Sequence, residues 1–147
     1  MKSRHFLFGI AIVVVACFAA STTHALSPFK KAFDAKYVKN SGSEDFQAAF
    51  KKSGCYTCHV KGQKKHVLNA FGLELAELIE GNGKDRVDAA KEKSADGKKD
   101  EETKLLKELD EAFKKVESIE GPSGTTYGDL FKAHGLPTAD GAKSIRE

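Results

Sequence analysis

With 147 residues, 40% of them hydrophobic and 31% charged, the chain has material for one domain with a modest core and not for several. Its formal net charge is +3, and without Lys2 and Arg4 of the leading segment the 24 basic residues fall to 22, against 21 acidic ones. That near balance excludes a generic nucleic-acid binder, which would carry a strongly basic face.

Lys2 and Arg4 precede an apolar run from Phe6 to Ala20, which is followed by a small-x-small pattern at Thr23 and Ala25. A membrane-spanning helix needs ~20 mostly apolar residues, and this run is shorter. Residues 1–25 therefore read as a secretory signal peptide cleaved after Ala25, which predicts an exported, periplasmic chain with no stable membrane insertion. Val14-Val15-Ala16-Cys17 offers a competing lipobox, in which Cys17 would become a lipid anchor.

Residues 26–42 read as a basic N-terminal arm, partly ordered. Phe29, Phe33 and Tyr37 recur there at i, i+4 and i+8, which allows one short helix laid over the core. From Leu26 to His66 nine lysines face three acids, so positive charge clusters in this half. Ser43 suits a helix cap, with Glu44 and Asp45 in the first turn and Phe46 and Phe50 on one face.

That face leads into Cys55-Tyr56-Thr57-Cys58-His59, a Cys-x-x-Cys-His pattern. With residues 1–25 removed, Cys55 and Cys58 are the only cysteines. Two residues between them, in a helical turn, put both sulfurs on one side, where they can add to the two vinyl groups of one porphyrin. The following imidazole then reaches the iron, and one axial position remains. Three other readings stay open at this point. A plain disulfide followed by an unrelated His suits an exported chain. A thioredoxin-like pair wants a βαβ context, and a zinc site wants four ligands.

From Ser43 to Ile79 the chain resembles the class I monohaem cytochromes c of exported bacterial type, in which a helix bearing an aromatic residue ends at Cys-x-x-Cys-His. Phe50, Gly54, Cys55, Cys58 and His59 carry the resemblance. It implies an all-α, cytochrome c-like helical wrap around one covalent haem c, with Cys55 and Cys58 as thioether positions and His59 as proximal iron ligand. Asn69-Ala70-Phe71-Gly72, followed by Leu73 to Ile79, is similar to the start of the helix after the haem motif in some small bacterial cytochromes.

Farther on, Phe71, Leu75, Leu78 and Ile79 predict a second helix from Asn69, closed by Gly81-Asn82-Gly83. Residues 84–100 are dense in Lys and Asp and read as a charged insertion, either a solvated helix or a mobile segment. Glu101 to Ile119 predicts a long charged helix with Leu105, Leu106, Leu109, Phe113, Val116 and Ile119 on one face. Lys104/Glu108, Asp110/Lys114 and Glu111/Lys115 form i,i+4 pairs on the other. Thr125 or Thr126 caps a short helix through Phe131 and Ala133, and residues 136–147 read as a flexible tail. The expected organisation is thus a haem domain over 43–135 between a basic arm and a tail.

The sixth iron ligand departs from the class I pattern, because Met1 is the only methionine and leaves with the signal peptide. His134 is the candidate distal ligand, far enough along the chain to come round to the opposite face. His66, seven residues after His59, is the weaker candidate. No catalytic set emerges, so the expectation is a non-enzymatic carrier of single electrons between exported redox partners. Acidic partners would suit Lys51, Lys52, Lys61, Lys64 and Lys65. The alternative is a five-coordinate haem protein, a gas-binding sensor or a peroxidase.

Overall fold

The computed structural model describes residues 27–138 and 143–144. The expected signal peptide, the expected lipobox at Cys17 and residues 139–142 and 145–147 of the expected tail lie outside that range. The described chain is all-α apart from one pair of two-residue strands. Among the described residues no helix is long and apolar enough to cross a membrane.

Helix α1, Pro28–Phe33, starts with Ser27 accepting from the Lys30 amide and Pro28 in the first position, where its missing N–H costs nothing. It runs straight into a π-helical turn over Asp34–Val38. The wider turn brings both Phe33 and Val38 inward, at 2% and 1% exposure. Within the basic arm expected over 26–42 the short helix allowed by the aromatic spacing is present, and Phe33 and Val38 join the core. The i, i+4, i+8 aromatic spacing outweighs its polar composition.

Helix α2, Glu44–Ser53, is capped by Ser43 and buries Phe46 and Phe50. After the motif, strand β1, Val67–Leu68, precedes helix α3, Ala70–Glu77, which buries Phe71 and Leu75. Gly81 takes a left-handed turn, and Asn82 starts the next helix instead of only ending the last. Its side chain accepts from the Lys84 and Asp85 amides.

The charged stretch over 84–100 is helical. Helix α4, Gly83–Lys93, is followed at once by helix α5, Ala95–Val116, whose cap is Ser94. The long helix thus begins six residues before the expected Glu101. Of the two alternatives for 84–100 the solvated helix holds, because Val87 turns inward and Arg86 ties the pair together. Its guanidinium donates to both carboxylate oxygens of Glu108, at 2.7 and 2.8 Å, and to Glu101 at 2.7 Å. Glu108 is thereby taken from its expected partner Lys104, which lies 3.9 Å from Glu101, while Asp110–Lys114 forms at 2.5 Å. Leu106, expected on the buried face, is 39% exposed at its flank.

Helix α6, Tyr127–Lys132, is capped by Thr126. Fifteen residues make one buried cluster from α1, the π turn, α2, α3, α4, α5 and α6. Phe33 lies at its centre, with ring centroids of Tyr37, Phe50, Phe71, Phe113 and Phe131 4.9 to 6.0 Å away. Such pairs add about 0.5–1.5 kcal/mol each beyond area burial. Part of the segment expected as a flexible tail over 136–147 is described. Strand β2, Lys143–Ser144, pairs antiparallel with β1, and Pro137 is buried.

Candidate functional site

Helix α2 does not stop before the motif. Gly54–Thr57 continues it as a tighter 3-10 turn, and Cys58 closes that turn with its amide on the Cys55 carbonyl. His59 also donates its amide to Cys55, at 3.1 Å. One turn therefore carries both thiols and ends at the imidazole. Beyond it the chain becomes extended, and His59 bridges Leu68 as a non-hydrogen-bonded antiparallel pair. The flanking bonds are Val60 N–H to the Val67 carbonyl at 3.2 Å and Asn69 N–H to the Cys58 carbonyl at 2.9 Å. β1 thus lies between the exit of the motif and β2.

The two thiols are free and differ in setting: Cys55 is exposed and Cys58 half-buried. Burial, helped by the neighbouring Cys55, pushes the Cys58 thiol up to about 12, so it stays protonated at neutral pH. Burial also lowers the His59 imidazole below its ordinary value, and the Lys65 ammonium acts in the same direction. Both effects favour the neutral imidazole, which has a lone pair to donate.

Among the described residues, the two buried side-chain polar atoms with no hydrogen-bond partner are Thr57 Oγ1 and His59 Nδ1. Both lie inside the five-residue motif. Native structures hold few such atoms because each costs about 1–3 kcal/mol, so two in one turn call for a reason.

A haem c fits this donor set: two unbridged thiols on one turn, then a neutral imidazole with an unpaired buried nitrogen. The fit rests on those donors and not on a ready-made pocket. A cavity of about 200 Å³ adjoins the corner beside Ala70, Phe71, Tyr127 and Pro137, smaller than the ~300–1,000 Å³ of ordinary ligand sites.

The two remaining histidines are placed differently. His66 is half-buried in the turn just before β1, within the same loop as His59. His134 is exposed, and its ring stacks on Phe46 with centroids 5.6 Å apart. Phe46 is in the first turn of α2, and Gly54 lies eight residues on, about 12 Å along the axis at 1.5 Å per residue. His134 therefore sits by the end of α2 remote from the motif. Its backbone has φ 60°, and the bonds His134 N–H to Phe131 O and Gly135 N–H to Leu130 O make a Schellman ending for α6. That place in the helix ending accounts for His134 without any ligand.

Two site residues carried no chemical signal in the sequence. Asn69, 1% exposed, gathers the motif's carbonyls, and Gly72 lets α3 lie against it. A Cβ on Gly72 would collide with the Cys58 carbonyl oxygen. The Asn-Ala-Phe-Gly string was legible as a helix start, but its contact with the motif was not. No family of known proteins, no curated protein and no solved structure matches the chain.

Proposed function

We propose that the chain is an exported monohaem c-type cytochrome that carries single electrons between redox partners. The observation that carries this reading is the grouping of Cys55, Cys58 and His59 on one turn, with the unpaired Nδ1 of His59 buried there. When bound, haem supplies one-electron chemistry between ferric and ferrous iron. The chain's part is to hold that group covalently through Cys55 and Cys58 and to offer a ring nitrogen of His59 to the iron. Lys51, Lys52, Lys61, Lys64 and Lys65 are all exposed near the motif, where their charge can steer an acidic partner.

Intact mass is the test. The processed chain, expressed with a haem-attachment system, should gain the mass of one haem, and Cys55→Ser with Cys58→Ser should gain nothing. An oxidised wild type two hydrogens lighter than the thiol form, with no haem, would point to a disulfide and sink the reading.

A second reading is favoured by the position of His134 beside Phe46, remote from the motif. In it the iron is five-coordinate and the protein binds a diatomic gas or acts as a peroxidase. Carbon monoxide added to the reduced protein separates the two. A six-coordinate carrier resists the gas, whereas a five-coordinate iron binds it at once. If wild type resists and His134→Ala binds it, His134 is the distal ligand after all. The same result with His66→Ala would assign the role to His66.

A further inference from the structure

A helix that stops leaves its last carbonyls without intrahelical donors. The motif turn stops at Cys58, so the carbonyls of Tyr56, Thr57 and Cys58 all need partners. One residue supplies them. The Asn69 side-chain Nδ2 donates to Tyr56 O at 3.2 Å and to Thr57 O at 2.9 Å, and its backbone N–H donates to Cys58 O at 2.9 Å. The same Nδ2 reaches Pro137 O at 2.5 Å, while Oδ1 accepts the Gly72 amide at 2.8 Å and caps α3.

We propose that Asn69 is the positioning residue of the Cys55–His59 turn: it holds three consecutive peptide planes of the motif and ties them to the start of α3 and to the C-terminal segment at Pro137. The proposal deepens the haem reading and rests on it for its functional meaning. Rotation of the Thr57 or Cys58 peptide plane would swing the following side chain, so holding those planes fixes the directions of Cys58 and His59. Asparagine meets the demand for two reasons. It pairs a two-hydrogen donor, one hydrogen of which is shared between two of the three carbonyls around Nδ2, with an acceptor on a short stem, so burial of the amide is compensated. Asn82 is the internal contrast. It caps α4 through Oδ1 in the same way, but it is exposed, and among the described residues no carbonyl accepts from its Nδ2.

The two roles of Asn69 can be pulled apart. Asn69→Asp keeps an oxygen to cap α3 but replaces the donor with an acceptor facing three carbonyls; Asn69→Leu removes both. In the full chain expressed with a haem-attachment system, both variants should lower the haem-bearing fraction by about tenfold, as loss of groups that orient metal ligands typically does. In the haem-bearing remainder the ferric spectrum and the reduction potential should shift. Helicity should fall only in Asn69→Leu. An Asp variant equal to wild type in loading, spectrum and potential would reduce Asn69 to a helix cap and overturn the proposal.

A measurement on wild type guards against a variant that does not fold. The side-chain amide protons of Asn69 should exchange with solvent more slowly than those of Asn82, on the order of a hundredfold. Equal exchange overturns the clamp. Should wild type gain no haem, the haem reading falls by itself, and the exchange ratio in that chain still decides whether Asn69 holds the turn.

Discussion

The aromatic core and the motif corner are held in opposite ways. In the core, Phe33 touches five other rings, and each of those has further neighbours, so the contacts are many, non-directional and individually small. In the corner, three carbonyls depend on one residue, Asn69, and the backbones of α3 and the motif meet where only Gly72 fits. Redundant packing resists unfolding, whereas a few directed bonds set angles. Such a division suits a site whose side chains must point in fixed directions, supported by a core that has only to stay folded.

The comparison yields a ranking of effects. Largest should be Phe33→Ala, which opens a cavity at the ring cluster and should cost about 3–5 kcal/mol in denaturant unfolding. A loss below that of an exposed-site mutant would mean that the cluster is not the core. Next comes Gly72→Ala, where backbone meets backbone and neither side can move as a side chain does. We expect about 1–3 kcal/mol of stability lost, together with a drop in haem loading read by intact mass. A stable variant with full loading would contradict the close approach of α3 to Cys58.

Arg86→Met should cost roughly 1 kcal/mol, since the ion pairs are partly exposed and screened. It has a pH signature. The Arg86 hydrogen bond holds the Glu108 carboxyl below its ordinary value of 4.5. A carboxylate with a depressed folded pKa stabilises above its unfolded value and loses that contribution as pH falls through the folded one. The gap between wild type and variant should therefore be full above about pH 4.5 and shrink below it. A pH-independent gap would leave only packing. His134→Gly should act in the opposite direction, because glycine relieves a left-handed backbone worth about 1 kcal/mol. If stability instead falls, the stack on Phe46 outweighs the strain.

How much of this was legible in the sequence follows from how each part is held. Phe46, Phe50, Phe71, Leu75, Leu105, Leu109, Phe113 and Val116 stand at helical spacing, and all are buried. Ser43 and Thr126 also cap as their residue types suggest. Periodicity showed the spacing of Phe29, Phe33 and Tyr37 in the arm, but it missed the π turn that brings Val38 inward as well. It also missed the start of α5, where Ser94 caps a stretch with no apolar repeat. In the site, the Cys-x-x-Cys-His string is five consecutive residues, and its placement on one turn was legible locally. The contacts of Asn69 were not, because its bonds join residues 56, 57 and 137, and a polar residue before a helix looks the same whether it only caps or also gathers distant carbonyls.

The smallest expected effect on stability is at the rim of the corner. Lys64 and Lys65 are exposed in the loop that leaves His59, and neither forms an ion pair among the described residues. Changing both to Glu should alter unfolding by less than about 0.5 kcal/mol, the usual range for surface sites without partners. Association is another matter, because exposed charges act on encounter over a Debye length of about 8–10 Å at moderate salt. With an acidic redox protein as partner, the double variant should react more slowly than wild type at low ionic strength. The two rates should converge as salt rises, since screening removes the steering that distinguishes them. Stability, haem loading and the rate at high salt would then all be unchanged while the low-salt rate falls. A rate insensitive to both the substitution and the salt would assign these lysines to solubility alone and move the docking face away from the motif.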